Sequence, residues 1–493
     1  MGVTSELPRF QQYIDGQFED GDFTFLSIDP ATGAPWAVLP EARESDVDRA
    51  VQAAHRALKQ GAWPKTTATA RGKLLYRLAD LVSENASKLA QLETQDTGKI
   101  IRETTAQIQY VAEFYRYYAG LADKIEGMYL PIDKADMETW VRREPIGVVA
   151  AVVPWNSQLF LSAVKIGPAL AAGCTIVLKA SEDGPTPLLE LARLIHEAGF
   201  PAGCVNIITG YGETCGAALT RHPKVAHIAF TGGPAAARKV VQNASENFAS
   251  TSLELGGKSP LIVFADADLE SAANAQVAGI FAATGQSCVA ASRLVVEASV
   301  KDRFVEILAA KAKAIRIGAP SDFGTEVGPL CTERQRRHIS SVVEASAASG
   351  ADVIYGGKAL DRPGYFFEPT ILDCSKVRAP SLETELFGPV LSVVGFETED
   401  EAVAIANDTA FGLSAGVFTQ NLTRAHRLTR ALDAGTVWLN TYRAVSPLAP
   451  FGGHGMSGHG REGGMASVLA FTKTKTVWLR TSDGSFPDPF IMR

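Results

Sequence analysis

From Pro145 onward the chain alternates short apolar runs with helix-period stretches, and this rhythm restricts its fold more than any other feature. Residues 147–153, 175–178, 205–208 and 227–230 are strand-length and apolar, while residues 159–170, 187–198 and 212–220 between them carry apolar side chains at helical spacing. Strand and helix in that order predict a parallel sheet covered by helices on both faces, an arrangement in which nucleotides commonly bind beyond the strand ends. A second α/β region is predicted from Leu261 to about Gly455. Upstream, residues 10–43 read as short strands and turns, marked by Asp15-Gly16 and residues 29–35. Val47, Val51, Ala54 and Leu58, then Leu74, Leu78 and Leu81, then residues 104–124 predict amphipathic helices. Tyr115, Tyr117 and Tyr118 on the last of these are expected to serve core and interface packing rather than to form a ligand cage. Residues 127–143 and 472–479 are left over as extended segments.

At 493 residues the chain exceeds one ordinary core, so two or three domains are expected. Charged residues are 20% and hydrophobic residues 46%, and the net charge of −7 gives no reason to expect nucleic acid or a membrane surface as partner. Small-molecule ligands are expected instead. Cys174, Cys204, Cys215, Cys288, Cys331 and Cys374 form no Cys-x-x-Cys pair, and the eight histidines show no ligand spacing. Neither a disulfide framework nor a metal site is predicted, and a reducing, cytoplasmic compartment fits. The stretch MGVTSELPRF lacks a basic region followed by an apolar run, and Glu6 stands where a myristoylation motif wants Ser or Thr. The longest apolar run, residues 146–153, is far short of the about 20 residues that span a bilayer.

Two stretches carry candidate chemistry. Residues 281–293, FAATGQSCVAASR, set Cys288 among small residues, which keeps a thiol reachable. A nucleophilic cysteine also needs a stabilised thiolate, from backbone N–H groups or a cation, whereas a structural one is a small buried hydrophobe. Residues 253–260, LELGGKSP, hold Glu254 in an apolar setting beside two glycines, 34 residues before Cys288. A carboxylate there should have a raised pKa, suited to a general base near neutral pH, although a buried Glu can also be a structural hydrogen-bond partner.

Together the two stretches resemble the aldehyde dehydrogenase superfamily, NAD(P)-dependent and non-acylating, whose signatures are a Glu-Leu-Gly-Gly-Lys-Ser box and a Gly-Gln-x-Cys box. The resemblance extends through Pro154, Trp155 and Asn156, through Lys179 and Glu182, through residues 385–390 (ELFGPV) and through residues 450–462 (PFGGHGMSGHGRE), in the family's order. It implies a Rossmann-like cofactor domain (residues 1–122 and 145–256), a second α/β catalytic domain (257–456) and small β oligomerisation segments (126–144 and 472–489) of a homodimer or homotetramer. It implies NAD-dependent oxidation of an aldehyde through a cysteine thiohemiacetal and thioester. Cys288 would be the nucleophile, Asn156 an oxyanion donor whose alternative reading is a helix N-cap, and Glu254 the base that activates water. A Glu at 254 favours hydrolysis to the free acid over transfer to coenzyme A.

For the cofactor, the resemblance assigns Lys179 and Glu182 to the adenosine ribose, Glu385 and Phe387 to the nicotinamide ribose, and Gly256 to the nicotinamide end. Gly232 and Gly233 belong to the phosphate-facing turn, and Trp155 and Gly212 complete the predicted set. A carboxylate at Glu182 favours NAD, with NADP possible because Lys179 would welcome a 2′-phosphate. The sequence departs from the family pattern at Gly233 (usually Ser), Ala237 (Gly), Ala283 (Asn) and Gly455 (Lys). Substrate selectivity is expected from the helix after Asn156, where Leu159, Phe160, Leu161 and Val164 are apolar, and from residues 440–450. These suggest a medium-sized apolar or aromatic aldehyde, with a carboxylate-bearing semialdehyde met by Arg443 as the alternative. A protein that keeps the fold without turnover, and a thiol hydrolase without redox chemistry, are rival readings; the first is opposed by Cys288, Glu254 and Asn156 together, the second by Lys179, Glu182 and Glu385.

Overall fold

The computed structural model describes residues 7–486 and 488–491. Residues 1–6, the part of the stretch MGVTSELPRF that includes Glu6, and residues 487, 492 and 493 lie outside them. Five parallel strands, Ser250–Leu255, Val225–Gly232, Val148–Val152, Thr175–Ala180 and Val205–Thr209, stand side by side in that order. Antiparallel neighbours extend the sheet to eight strands, with Gly458–His459 on one edge and Gln12–Ile14 followed by Gln17–Glu19 on the other. The order of the parallel strands reverses beside Val148–Val152: the chain builds outward to one side, then returns to build on the other. Such a switch point opens a crevice at the carboxyl ends of the strands.

Strand Val148–Val152 shows why its sequence is continuously apolar rather than alternating. Val149 and Ala151 face one buried cluster, with Ile176 and Leu178, while Val148 and Ala150 face another, with Val177 and Ile228. With helices on both faces, neither side of the strand meets water. Helix Gln158–Ala172 leaves this strand's end and is buried nearly all round, ending at the left-handed Gly173.

A second sheet of seven strands has the order Asp352–Tyr355, Thr370–Asp373, Val390–Phe396, Arg293–Glu297, Pro260–Val263, Ser414–Phe418 and Thr436–Leu439, parallel except at its first strand. Strand Met137–Pro145 pairs antiparallel with Thr472–Arg480 over nine residue pairs, Pro145 opposite Thr472 and Met137 opposite Arg480, and with the short strand Met128–Leu130. Tyr115 and Tyr118 are fully buried in the core on helix Ile101–Leu121, while Tyr117 is half-buried against it. Among the described residues no helix is long and apolar enough to cross a membrane, and no group of three or more His, Cys, Asp or Glu is placed to hold a metal ion.

Candidate active site

Cys288, Glu254 and Asn156 line one cavity of about 560 Å³ between the two large sheets, together with Trp155, Gly232, Gly233, Gly256, Glu385 and Phe387. Three chain segments far apart in sequence deliver them. Strand Val148–Val152 runs out through Pro154 to Asn156, strand Ser250–Leu255 ends on Glu254 and Leu255, and a loop before strand Arg293–Glu297 carries Cys288.

The cysteine loop is held by backbone that only particular residues tolerate. Ala283 and Thr284 have φ of 52° and 55°, the left-handed region that non-glycine residues seldom occupy, which explains why an Asn, more at ease there, is common in place of Ala283. The Ala283 N–H donates to both carboxylate oxygens of Glu103, at 3.0 and 3.1 Å, and this anchors the strained turn. At Gly285 a Cβ would lie 2.1 Å from the Gly388 carbonyl oxygen, so this position admits only glycine as the loop presses on the ELFGPV segment. Gln286 accepts from the Cys331 N–H at 2.9 Å through its side chain, and its carbonyl accepts from Asn156 Nδ2 at 3.0 Å. Asn156 therefore does not cap a helix. Ser157 is the N-cap residue of Gln158–Ala172, and the Asn156 amide spans to the cysteine loop with its second N–H still available.

The acidity of Cys288 runs opposite to the expectation of a stabilised thiolate. Burial, then Glu385 and Glu254, push its thiol up to about 12, and Arg443 pulls it down. Its surroundings gather carboxylates rather than cations. Glu254 behaves as expected: it is 5% exposed, neither oxygen has a hydrogen-bond partner, and burial followed by repulsion from Glu462 raises its pKa well above the ordinary range, against the pull of Lys165 and Arg461.

Lys165 and Glu462 form an ion pair behind Glu254 that sequence reasoning did not single out. Lys165 is 1% exposed and also donates to Thr231 Oγ1 at 2.6 Å. The available signal was a lone lysine in the otherwise apolar stretch SAVKIGPAL, a charge that a buried helix admits only with a partner.

The cofactor candidates divide into two groups. Gly256, Glu385, Phe387 and Trp155 meet at the cavity: the Gly257 N–H donates to Glu385 Oε1 at 3.0 Å, a Cβ on Gly256 would fall 1.9 Å from Glu385 Oε2, and Trp155 meets Phe387 edge-to-face at 5.5 Å. Gly233 precedes helix Pro234–Asn247 as an N-cap residue without a side-chain cap. The absent Ser hydroxyl thus leaves the first-turn N–H groups of a 14-residue helix without a side-chain acceptor, a donor set suited to a phosphate. Ala237, where the family usually has Gly, is buried in the core beneath this turn. Gly455, where Lys is common, has φ of 58° and its Cβ would lie 2.9 Å from the Ala410 carbonyl, which accounts for glycine there.

Lys179, Glu182 and Gly212 lie outside the walls of the Cys288 cavity, at the ends of strands Thr175–Ala180 and Val205–Thr209. Lys179 is not solvated surface: it is 3% exposed, and its Nζ pairs with Glu182 Oε2 at 3.0 Å. Of the expected substrate-tunnel residues, Phe160, Leu161, Val164 and Arg443 line the cavity, but Leu159 does not. It is fully buried in the core, about 200° round the helix from Leu161, which lines the opening.

Comparison with known proteins agrees with this arrangement. Residues 18–477 match the Aldehyde dehydrogenase family. This chain belongs to that family. It is 65% identical over 488 residues, 99% of this chain and 100% of the relative, to the (Z)-2-((N-methylformamido)methylene)-5-hydroxybutyrolactone dehydrogenase of Acinetobacter baylyi. Among solved structures it is similar to PnpE from Pseudomonas sp. WBC-3 (TM-score 0.94, 43% identity, 98% of this chain and 99% of that one). It is similar also to the NAD+ complex of an aldehyde dehydrogenase from Bacillus cereus (TM-score 0.95, 40% identity, 97% and 98%).

Proposed function

We propose that this aldehyde dehydrogenase oxidises a medium-sized aldehyde to the free carboxylic acid, with Cys288 as nucleophile, Asn156 as oxyanion donor and Glu254 as the base for hydrolysis. The reading rests on one observation: these three residues share a cavity with the Glu385–Gly256 cradle. NAD, which the family employs, supplies a hydride acceptor when bound. Glu385, Phe387, Gly256, Trp155 and the turn at Gly232 and Gly233 would hold its nicotinamide half and phosphates, and Lys179, Glu182 and Gly212 its adenosine half. Lys179 spends its charge on Glu182, so a 2′-phosphate would meet a carboxylate without a free cation beside it, which favours NAD over NADP.

Cys288 Sγ forms a bond to the aldehyde carbon as its proton leaves, and the resulting oxyanion accepts from Asn156 Nδ2 and the Cys288 backbone N–H. A thiol pushed up to about 12 needs that proton taken by a base. Glu254 is suited, since a carboxylate held high binds a proton strongly. Loss of hydride leaves a thioester on Cys288. Glu254 then removes a proton from water as the oxygen adds to the acyl carbon, the C–S bond breaks, and acid and thiol are released.

The walls near the entrance are largely apolar, with Tyr110, Phe114, Phe160, Leu161, Val164 and Phe451, and support an apolar or aromatic body on the aldehyde, each buried methylene contributing about 0.8 kcal/mol. A second reading, a carboxylate-bearing semialdehyde, is favoured by Arg443, which lines the same cavity. The relative from Acinetobacter acts by its name on a 5-hydroxybutyrolactone, and such a lactol is chemically the ring-closed form of a four-carbon semialdehyde acid. Following NADH absorbance with hexanal, benzaldehyde and succinic semialdehyde, in wild type and Arg443→Ala, tests both. Oxidation of hexanal or benzaldehyde with the higher kcat/KM supports the apolar reading, and preference for the semialdehyde overturns it in favour of the second. No NADH from any of the three would refute the assigned chemistry.

A further inference from the structure

Lys99 is the least expected residue in the wall of the Cys288 cavity. It follows Gly98, whose φ of 76° closes helix Ala86–Thr97 and whose Cβ would lie 2.7 Å from Pro329 Cγ, so the backbone at Lys99 has little freedom. The residue is 9% exposed, and its Nζ donates to Gln107 Oε1 at 2.7 Å and to Ser157 Oγ at 3.1 Å. Gln107 Nε2 donates to the same Ser157 oxygen at 3.3 Å. Ser157 Oγ thus accepts twice and its own proton is left to donate, while the ammonium keeps one of its three donors. Lys99, Gln107 and Ser157 all line the cavity, and Ser157 is the residue next to Asn156.

A buried lysine normally has an anion beside it. Here two acids lie near and neither serves. Glu93 is fully buried and makes no hydrogen bond to Lys99, and burial raises its pKa against the pull of that lysine. Glu103 spends its carboxylate on the Ala283 N–H. Burial lowers the Lys99 pKa against the pull of Glu93 and Glu103, and Arg443, which lowers it further, adds a second positive charge to the same cavity and donates to the Ala278 carbonyl at 3.0 Å. Among the described residues no carboxylate pairs with either cation across the cavity.

We propose that Lys99, with Gln107 and Ser157 and supported by Arg443, is a carboxylate subsite that takes the acid end of a short semialdehyde whose carbonyl carbon lies at Cys288. The inference rests on the second substrate reading above and assigns it residues. The donors match a carboxylate's needs: one N–H of an ammonium and one O–H, both charge-assisted once the anion is seated.

The test compares kcat/KM for succinic semialdehyde, its methyl ester and butanal in wild type, Lys99→Met, Ser157→Ala and Gln107→Leu. Wild type should prefer the free acid over both neutral aldehydes. In Lys99→Met the ratio of semialdehyde to butanal should fall about 10-fold to 100-fold, chiefly through KM, as expected for one lost charged hydrogen bond. Ser157→Ala and Gln107→Leu should lower it less. Equal losses on all three substrates would mean that Lys99 only braces the fold, and an unchanged ratio would mean that it faces no ligand; either overturns the proposal. Should Lys99→Met not fold, unchanged ratios in the other two variants overturn it equally. Succinate binding by calorimetry needs no turnover and separates the two levels of inference. Binding to wild type that Lys99→Met or Ser157→Ala weakens upholds the subsite even if no aldehyde is oxidised, and wild type that does not bind succinate refutes it.

Discussion

Gly256→Ala is the smallest change that should disable this site. A methyl at Gly256 would lie 1.9 Å from Glu385 Oε2, 2.2 Å from Oε1 and 2.3 Å from the carboxyl carbon. Carbon and oxygen in ordinary contact stand about 3.5 Å apart, so the overlap exceeds 1 Å and the Glu385 carboxylate must leave its place. It then loses the Gly257 N–H bond at 3.0 Å and the place from which it is proposed to hold the cofactor. One or two hydrogen bonds to a charged group, at about 1.5–3 kcal/mol each, predict NAD binding weakened about 10-fold to several hundred-fold. Titration of NAD followed by protein fluorescence measures this, with thermal unfolding alongside to show that the variant is folded. The decisive arm is the cycle with Glu385→Ala, which removes the atoms that the methyl would strike. If eviction of Glu385 is the cause, Gly256→Ala should weaken NAD binding strongly in wild type and by less than about 3-fold in the Glu385→Ala background. Unaltered NAD affinity in Gly256→Ala, or losses that simply add, would refute the reasoning.

Glu254→Gln should keep the first-turnover burst of NADH and slow the steady rate by about 100-fold or more, because the amide cannot take a proton from water; stopped-flow absorbance shows both phases, and a wild-type steady rate would remove Glu254 as the base. The Glu385 carboxyl is raised from 4.5 to about 7 by burial, against the Gly257 N–H and Lys258. Between those values the unfolded chain has released its proton while the folded one retains it, so stability falls as pH rises through this window and levels off above about 7. Glu385→Gln should lose this slope and gain roughly 1–3 kcal/mol on wild type between pH 5 and pH 8 in urea unfolding of the cofactor-free protein; parallel curves would contradict it.

The sequence by itself determined the sheet class, because a parallel strand buried on both faces must be apolar throughout, as Val148–Val152 is, and its covering helices must be periodic. It also offered Cys288, Glu254 and Asn156 as candidates, through short runs that together resemble the boxes of one family although each run by itself also admits a structural role. The tertiary structure decided what no local run can hold. Glu462 lies 297 positions from Lys165, yet the two pair behind Glu254. Lys99 reads as one more charge after a helix, until Gln107 and Ser157 fold over it. Leu159 and Leu161 look alike in sequence, and only helix orientation sends one to the core and the other to the cavity. Acidity is the clearest case. The small neighbours of Cys288 suggest a reachable thiol and say nothing of its charge, while the folded chain buries it beside Glu385 and Glu254 and raises its pKa. Charge and burial sum over everything within several ångströms of a group, and most of those neighbours come from distant parts of the chain.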